Sequence, residues 1–271
     1  MSTPKSSSTR AQVVFFGHGG GPLPILGDPH HQAMLDFLQR LPGRLRRPEA
    51  IMVSSAHWEE NAATLTGAAN PPMLYDYYGF PPAAYEITYP APGSPALAAR
   101  IAALLEANGV PARIDPARGY DHGLFIPIKM MYPQADIPCL QLSLLRSLDA
   151  AAHIALGKAL RGLLGENLLV AGSGFSFHNL RGFSWQGTDA ADPANDAFQD
   201  WLRETCAAPM PESEREQRLN GWAKAPGARY CHPREEHLLP LHVCYGLAGR
   251  AGEVVFDDKI LGKRNLGFLW E

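Results

Sequence analysis

The sequence predicts one α/β domain with a mostly parallel central β-sheet flanked by helices, and a site at one end of that sheet. Three observations lead there. Short apolar runs at 13–16, 51–53 and 168–171 alternate with segments of helical period, the pattern of βαβ units. Each run stops at glycine or serine, with a histidine a few residues beyond: His18, His57 and His178. In open α/β sheets, ligands bind outside the carboxyl ends of the strands.

The elements follow in order. Residues 1–10 read as a disordered, Ser-rich tail, and 11–271 as the folded domain. The strand at 11–16 runs into a Gly-Pro-rich loop, 17–28, which lacks the Gly-Lys-Ser/Thr of a phosphate-binding loop. A helix is expected over 30–41, with Met34, Phe37, Leu38 and Leu41 on one face. A second strand at 49–55 delivers His57 and Trp58, and a third lies near 62–67. Residues 70–93 are rich in proline and tyrosine without periodicity, which suits either a binding loop or an irregular packed one. Ser94 and Pro95 open the next helix as cap and first residue, and Gly109 follows its end. A short strand at 112–114 and a helical turn through Lys129 come next, then a strand at 137–144. Asp149 caps a helix reaching about 164, and 167–171 forms another buried strand. Residues 192–222 read as helical with a break at 207–211. A helix is expected from Pro233 to Gly246, and final strands at 253–256 and 267–270.

Composition narrows the function. With 271 residues, 46% of them hydrophobic, the chain can bury a substantial core. A net charge of -3 and scattered Lys and Arg give no basic stripe, so no nucleic-acid partner is expected; Arg44, Arg46 and Arg47 read as a solvated helix end. No apolar run is long enough for a membrane span, and the polar N-terminus does not read as a secretory signal. The four cysteines lack CxxC spacing, as in a cytoplasmic protein with reduced thiols.

Ten histidines carry the functional reading. His30, His31, His153 and His242 fall in predicted helices and read as ordinary structural or surface residues. His18, His57, His122, His178, His232 and His237 sit beside glycines or at element ends. Neutral imidazole is the commonest metal ligand, and imidazole-rich sites suit Zn, Cu, Fe and Ni. Three protein ligands with open positions make a catalytic centre. His18 and His57 lead the candidates, with His237 third from the first turn of its helix. Glu235 and Glu236 remain open as substitutes or as outer partners.

Six segments then carry a resemblance: Gly17-His18-Gly19, Ser55-Ala56-His57-Trp58, the run from Tyr89 to Pro95, Asp121-His122-Gly123, His178-Asn179-Leu180, and the run from Glu236 to Leu241. In this order they resemble the DOPA-type extradiol ring-cleaving dioxygenases of the class III, LigB-like group, over a span from about residue 11 to the C-terminus. The resemblance implies an α/β catalytic domain with a deep site at one sheet end. It implies non-haem Fe(II) as active metal, with Zn(II) often bound on isolation, and a small aromatic catechol and O2 as substrates. By motif match, His18, His57 and His237 look like metal ligands, while His178 and His122 look like acid/base groups. His237 stands where the wider group has a glutamate, and the approach to His178 through Phe175 and Phe177 is bulkier than the pattern.

The expected chemistry is extradiol cleavage, with His178 taking a catechol proton and His122 acting later as acid. Tyr77 and Tyr78, with Tyr75 and Tyr85, are candidates for the ring pocket; Arg234 or Lys129 could meet a carboxylate. Two rivals use the same residues: a zinc-dependent hydrolase that activates water, and a non-enzymatic relative that only binds. Oligomeric state is left open.

Overall fold

The computed structural model describes residues 10–188 and 190–271. Apart from Arg10, the tail expected over 1–10 lies outside the described residues. The chain runs β1 (Gln12–Gly17), α1 (Gln32–Arg40), β2 (Ala50–Glu60), β3 (Ala63–Thr66), α2 (Pro95–Ala107), β4 (Ala112–Asp115), α3 (His122–Met131), β5 (Cys139–Leu145), α4 (Ala150–Ala159) and β6 (Leu168–Gly174). It continues through α5 (Pro193–Ala207), α6 (Glu212–Asn220), α7 (Ala228–Cys231), α8 (Leu239–Ala248), β7 (Glu253–Ile260) and β8 (Lys263–Trp270).

The strands form one sheet in the order β4-β3-β5-β2-β6-β1-β8-β7. β5, β2, β6 and β1 run parallel, while β8 and β7 add an antiparallel ribbon at one edge. This is the single, mostly parallel α/β domain expected. β1, the first part of β2, and β6 are buried throughout, which is why they read as continuous apolar runs.

Residue alternation in β6 shows how the sheet is covered. A Cβ at Gly172 or Gly174 would meet Pro240 or the His237 carbonyl, at the start of α8. Ser173, between them, reaches the Gly123 carbonyl in α3. Successive strand residues face opposite sides, so α8 and α3 cover opposite faces of the central strands. The carboxyl ends of β1 and β6, and the far half of β2, therefore open between these two helices.

Four expectations are corrected. β2 runs through His57 and Trp58 to Glu60, past a register shift against β5 between Ser54 and Glu59. Such irregularities re-aim side chains next to sites. α8 starts at Leu239 rather than Pro233, because Pro240 has no N–H and fits only a first turn. His237 therefore comes from the turn before the helix. Ser94 precedes α2 without a side-chain capping bond. Finally, β7 and β8 form a longer hairpin than the two short strands expected, turning through Leu261 and Gly262, both at positive φ.

Candidate active site and metal centre

Five of the histidines singled out above, His18, His57, His122, His178 and His237, line one cavity of about 320 Å³ at the sheet end. His18 follows β1 directly, and Gly19 and Gly21 at positive φ carry the chain away from it. His57 lies on the re-aimed half of β2. His122 opens α3 behind Asp121, a buried carboxylate held by Ser55 and Arg118. His178 lies beyond β6, its backbone N–H bonded to the Cys231 carbonyl. His237 is anchored through its carbonyl, which accepts from Phe175 N–H at 2.9 Å.

The His18, His57 and His237 rings form a compact triangle. Their centroids lie 4.8 Å (His18–His57), 5.3 Å (His18–His237) and 5.0 Å (His57–His237) apart. The remaining two flank it: His122 lies 3.8 Å from His57, and His178 stacks on His237 at 3.3 Å. Their ligand-type atoms fall into two close groups, His18 with His57 and His122, and His178 with Glu236 and His237.

Every imidazole has an oxygen behind its Nδ1: His18, His122 and His237 are hydrogen-bonded there, and His57 and His178 face a carboxylate at longer range. His18 Nδ1 lies 3.0 Å from Ser173 Oγ, whose own proton goes to the Gly123 carbonyl. Asp76 takes His122 Nδ1 at 2.7 Å and faces His57 Nδ1 at 3.6 Å. Glu236 takes His237 Nδ1 at 2.9 Å and faces His178 Nδ1 at 3.4 Å. With acceptors behind them, the rings are assigned the Nδ1–H tautomer, which leaves Nε2 as a lone pair. The Nε2 atoms of His18 and His57 then face each other at 3.0 Å. Two lone pairs at that distance repel unless a cation or a proton stands between them, so the donor set fits a metal ion.

Electrostatics agree. Burial drives His18, His57 and His237 well below the usual imidazole range, and the neighbouring imidazoles add to the effect. Neutral imidazole is the form a metal binds. Burial alone would raise the Asp76 and Glu236 carboxyls. Hydrogen bonding, to His122 and to His178 respectively, and the nearby positive charge together outweigh it and hold both below the usual carboxylate range.

The other predicted residues fall on both sides of the cavity wall. Tyr77 and Tyr78 line it, with Tyr78 at the rim. Arg234 does not; it forms a two-pronged pair with Glu59 in an adjoining cleft. Lys129 bonds the Thr88 carbonyl, and Tyr75 the Ile87 carbonyl. His232 is buried against the Ser176 carbonyl, outside the cluster. His31 is structural but close by: its Nε2 accepts from Gly20 N–H at 2.9 Å and so braces the loop behind His18. The 70–93 segment is both packed and cavity-lining, since the Tyr75 and Tyr77 hydroxyls bond within it while Asp76, Tyr77, Tyr78 and Phe80 face the cavity. Asp76 and Ser173 were not singled out from sequence. A lone aspartate among tyrosines and a strand serine carry no local signal; only the fold places them behind histidines.

Comparison with known proteins then fixes the class. Residues 25–268 match the family described as catalytic LigB subunit of aromatic ring-opening dioxygenase. The chain belongs to this family of dioxygenases. It is 43% identical to "Dioxygenase tasH" of Hapsidospora irregularis, over 97% of this chain and 87% of that one. It is 38% identical to the 4,5-DOPA dioxygenase extradiol of Escherichia coli K12, over 87% of this chain and 84% of the relative. The protein of that name from Beta vulgaris is 37% identical, over 88% and 87%. Among solved structures, the uncharacterized protein JW3007 from Escherichia coli K12 superposes with a TM-score of 0.78 at 31% identity, covering 97% of this chain and 100% of that one.

Proposed function

We propose that this protein cleaves the ring of a catechol beside its hydroxyl pair, using dioxygen, as an extradiol dioxygenase. The observation that carries the reading is the set of five imidazoles on one cavity, each with an oxygen behind its Nδ1. His18, His57 and His237 would hold the metal, which supplies a meeting point for the two catechol oxygens and O2. Non-haem Fe(II) is the proposed active ion; Zn(II) suits the same donors and is the ion expected on isolation. DOPA, for which several relatives are named, is the first candidate substrate.

The chain's own groups handle the protons. His178 Nε2 takes a proton from a catechol hydroxyl, and Glu236 at its Nδ1 stabilises the cation that forms. In its protonated form His122 would donate a proton from Nε2 to a reacting oxygen, with Asp76 at Nδ1 stabilising that cation. Tyr77 and the apolar walls orient the ring and exclude water. A reducing, cytoplasmic setting fits the four unpaired, buried thiols.

The test is anaerobic reconstitution of the full chain with Fe(II) or Zn(II), followed by oxygen and a catechol panel. Oxygen uptake matched to a new yellow chromophore, with iron only, is the expected result. His178→Ala should keep the metal and lose turnover. Absence of uptake with every catechol, in protein carrying one tightly bound zinc, would return the choice to a hydrolase or a binding protein.

A further inference from the structure

The cavity wall departs from what an amino-acid substrate needs. DOPA carries an ammonium and a carboxylate on its side chain. A carboxylate leaving water requires a cation or several donors in reach. Yet among the described residues that line the cavity there is no lysine or arginine. The rest of the wall is Phe80, Phe175, Leu180, Phe183 and Trp185, with Tyr77, whose hydroxyl already donates to the Ala84 carbonyl, and Tyr78 out at the rim. Asp76 is its one carboxylate, and both of its oxygens already face histidines.

Two further observations point the same way. Of the two arginines on the adjoining cleft, Arg234 is neutralised by Glu59 and pairs with Glu236 as well. At the mouth, Leu180 is 61% and Trp185 48% exposed. Large apolar side chains left open at a cavity rim mark a surface that an apolar ligand covers.

We propose that the substrate is a catechol bearing an uncharged, hydrophobic ring substituent, which lies against Phe183, Leu180 and Trp185 while the hydroxyl pair points to the histidines. This rests on the ring-cleavage reading and narrows it: the amino-acid side chain of DOPA is a poor fit. Arg181 stands in the adjoining cleft, which shares His178 and Leu180 with the cavity, and so is the one group that must be tested as an alternative anchor.

A matched set of probes isolates the charge: catechol, 4-propylcatechol, 3-(3,4-dihydroxyphenyl)propionate and L-DOPA. Affinities are read by calorimetry on the full chain loaded with Zn(II), with no turnover required. 4-Propylcatechol should bind about tenfold or more tighter than the propionate and DOPA, because only the charged pair must shed water without a partner. Leu180→Arg, at an exposed position that does not threaten folding, should narrow that gap several-fold, and Trp185→Ala should weaken 4-propylcatechol selectively. In the Fe(II) form, kcat/KM should follow the same ranking.

Equal or tighter binding of the propionate or DOPA overturns the inference, as does failure of every probe to bind. So does a carboxylate preference that disappears in Arg181→Ala, which would assign the anchor to the cleft. Oxygen uptake with unsubstituted catechol reports separately on ring cleavage. If catechol is cleaved but the ranking is reversed, only the inference fails; if the ranking holds without any uptake, only the ring-cleavage reading fails.

Discussion

Asp76→Ala removes the carboxylate that stands behind two histidines at once. Its bond to His122 Nδ1, 2.7 Å long, is short and charge-assisted, while His57 Nδ1 lies at 3.6 Å. Bonds of the first kind contribute about 1.5–3 kcal/mol, which corresponds to about 10- to 100-fold in rate when the proton-transfer step depends on it. Metal affinity should fall less, about tenfold, because the approach to His57 is longer and His18 and His237 keep their own anchors. Asp76→Asn retains an acceptor for His122 but no charge, and should fall between wild type and alanine. Turnover is measured with an oxygen electrode, and affinity by competition with a chromophoric chelator. A thermal melt checks that the variants are folded. Asp76→Ala with both constants within twofold of wild type would refute the claim that this carboxylate orients and charges the histidines.

Two further outcomes follow from the packing. In Gly174→Ala the new Cβ would lie 2.1 Å from the His237 carbonyl oxygen, so His237 must retreat by about 1 Å, a displacement of the size that costs about a hundredfold in catalysis. Gly43→Ala, with nothing within 4 Å, serves as control, and equal activity and metal affinity in the two variants would sink the argument. Acid should also destabilise the fold through His232 and His242, which burial pushes down to about 3 and about 4. Both are neutral in the folded chain near pH 5, whereas the unfolded chain takes up protons below about 6.5. Their contribution is therefore complete above pH 6.5 and is lost as pH falls, by about 2 kcal/mol per histidine at pH 5. Urea midpoints at pH 7 and pH 5 measure it, and a His242→Gln variant should show a shallower pH slope; midpoints unchanged between the two pH values would count against it.

The parts of the fold legible in the sequence are those buried on both sides. β1, the first part of β2, and β6 declare themselves as apolar runs because helices cover both faces, and the histidines that follow those runs are conspicuous for the same reason. β7 was half missed because it is an edge strand: Asp257, Asp258 and Lys259 face solvent and break the pattern. The start of α8 was misread because Pro233 and Pro240 both qualify as first-turn prolines, and only a helix beginning near the second avoids a broken interior bond. The cluster itself was visible residue by residue, but its bracing was not. Ser173 and Asp76 matter through contacts spanning 155 and 46 residues of sequence, to His18 and His122, and no local pattern encodes such distances.

That bracing has a regular logic. Asp76 stands behind one histidine of the proposed metal triangle, His57, and one proposed proton carrier, His122. Glu236 does the same for His237 and His178. Each carboxylate is one charge shared by two rings, so a proton gained at the carrier draws on the charge that also orients the ligand. When His122 or His178 becomes cationic, its carboxylate is pulled toward it and donates less to the neighbouring imidazole at the centre. On the proposed roles, proton transfer and the electron-donating strength of the donors would then be coupled through these two carboxylates. Glu236 stands one layer out from the proposed triangle, where it faces both the proposed ligand His237 and the proposed base His178.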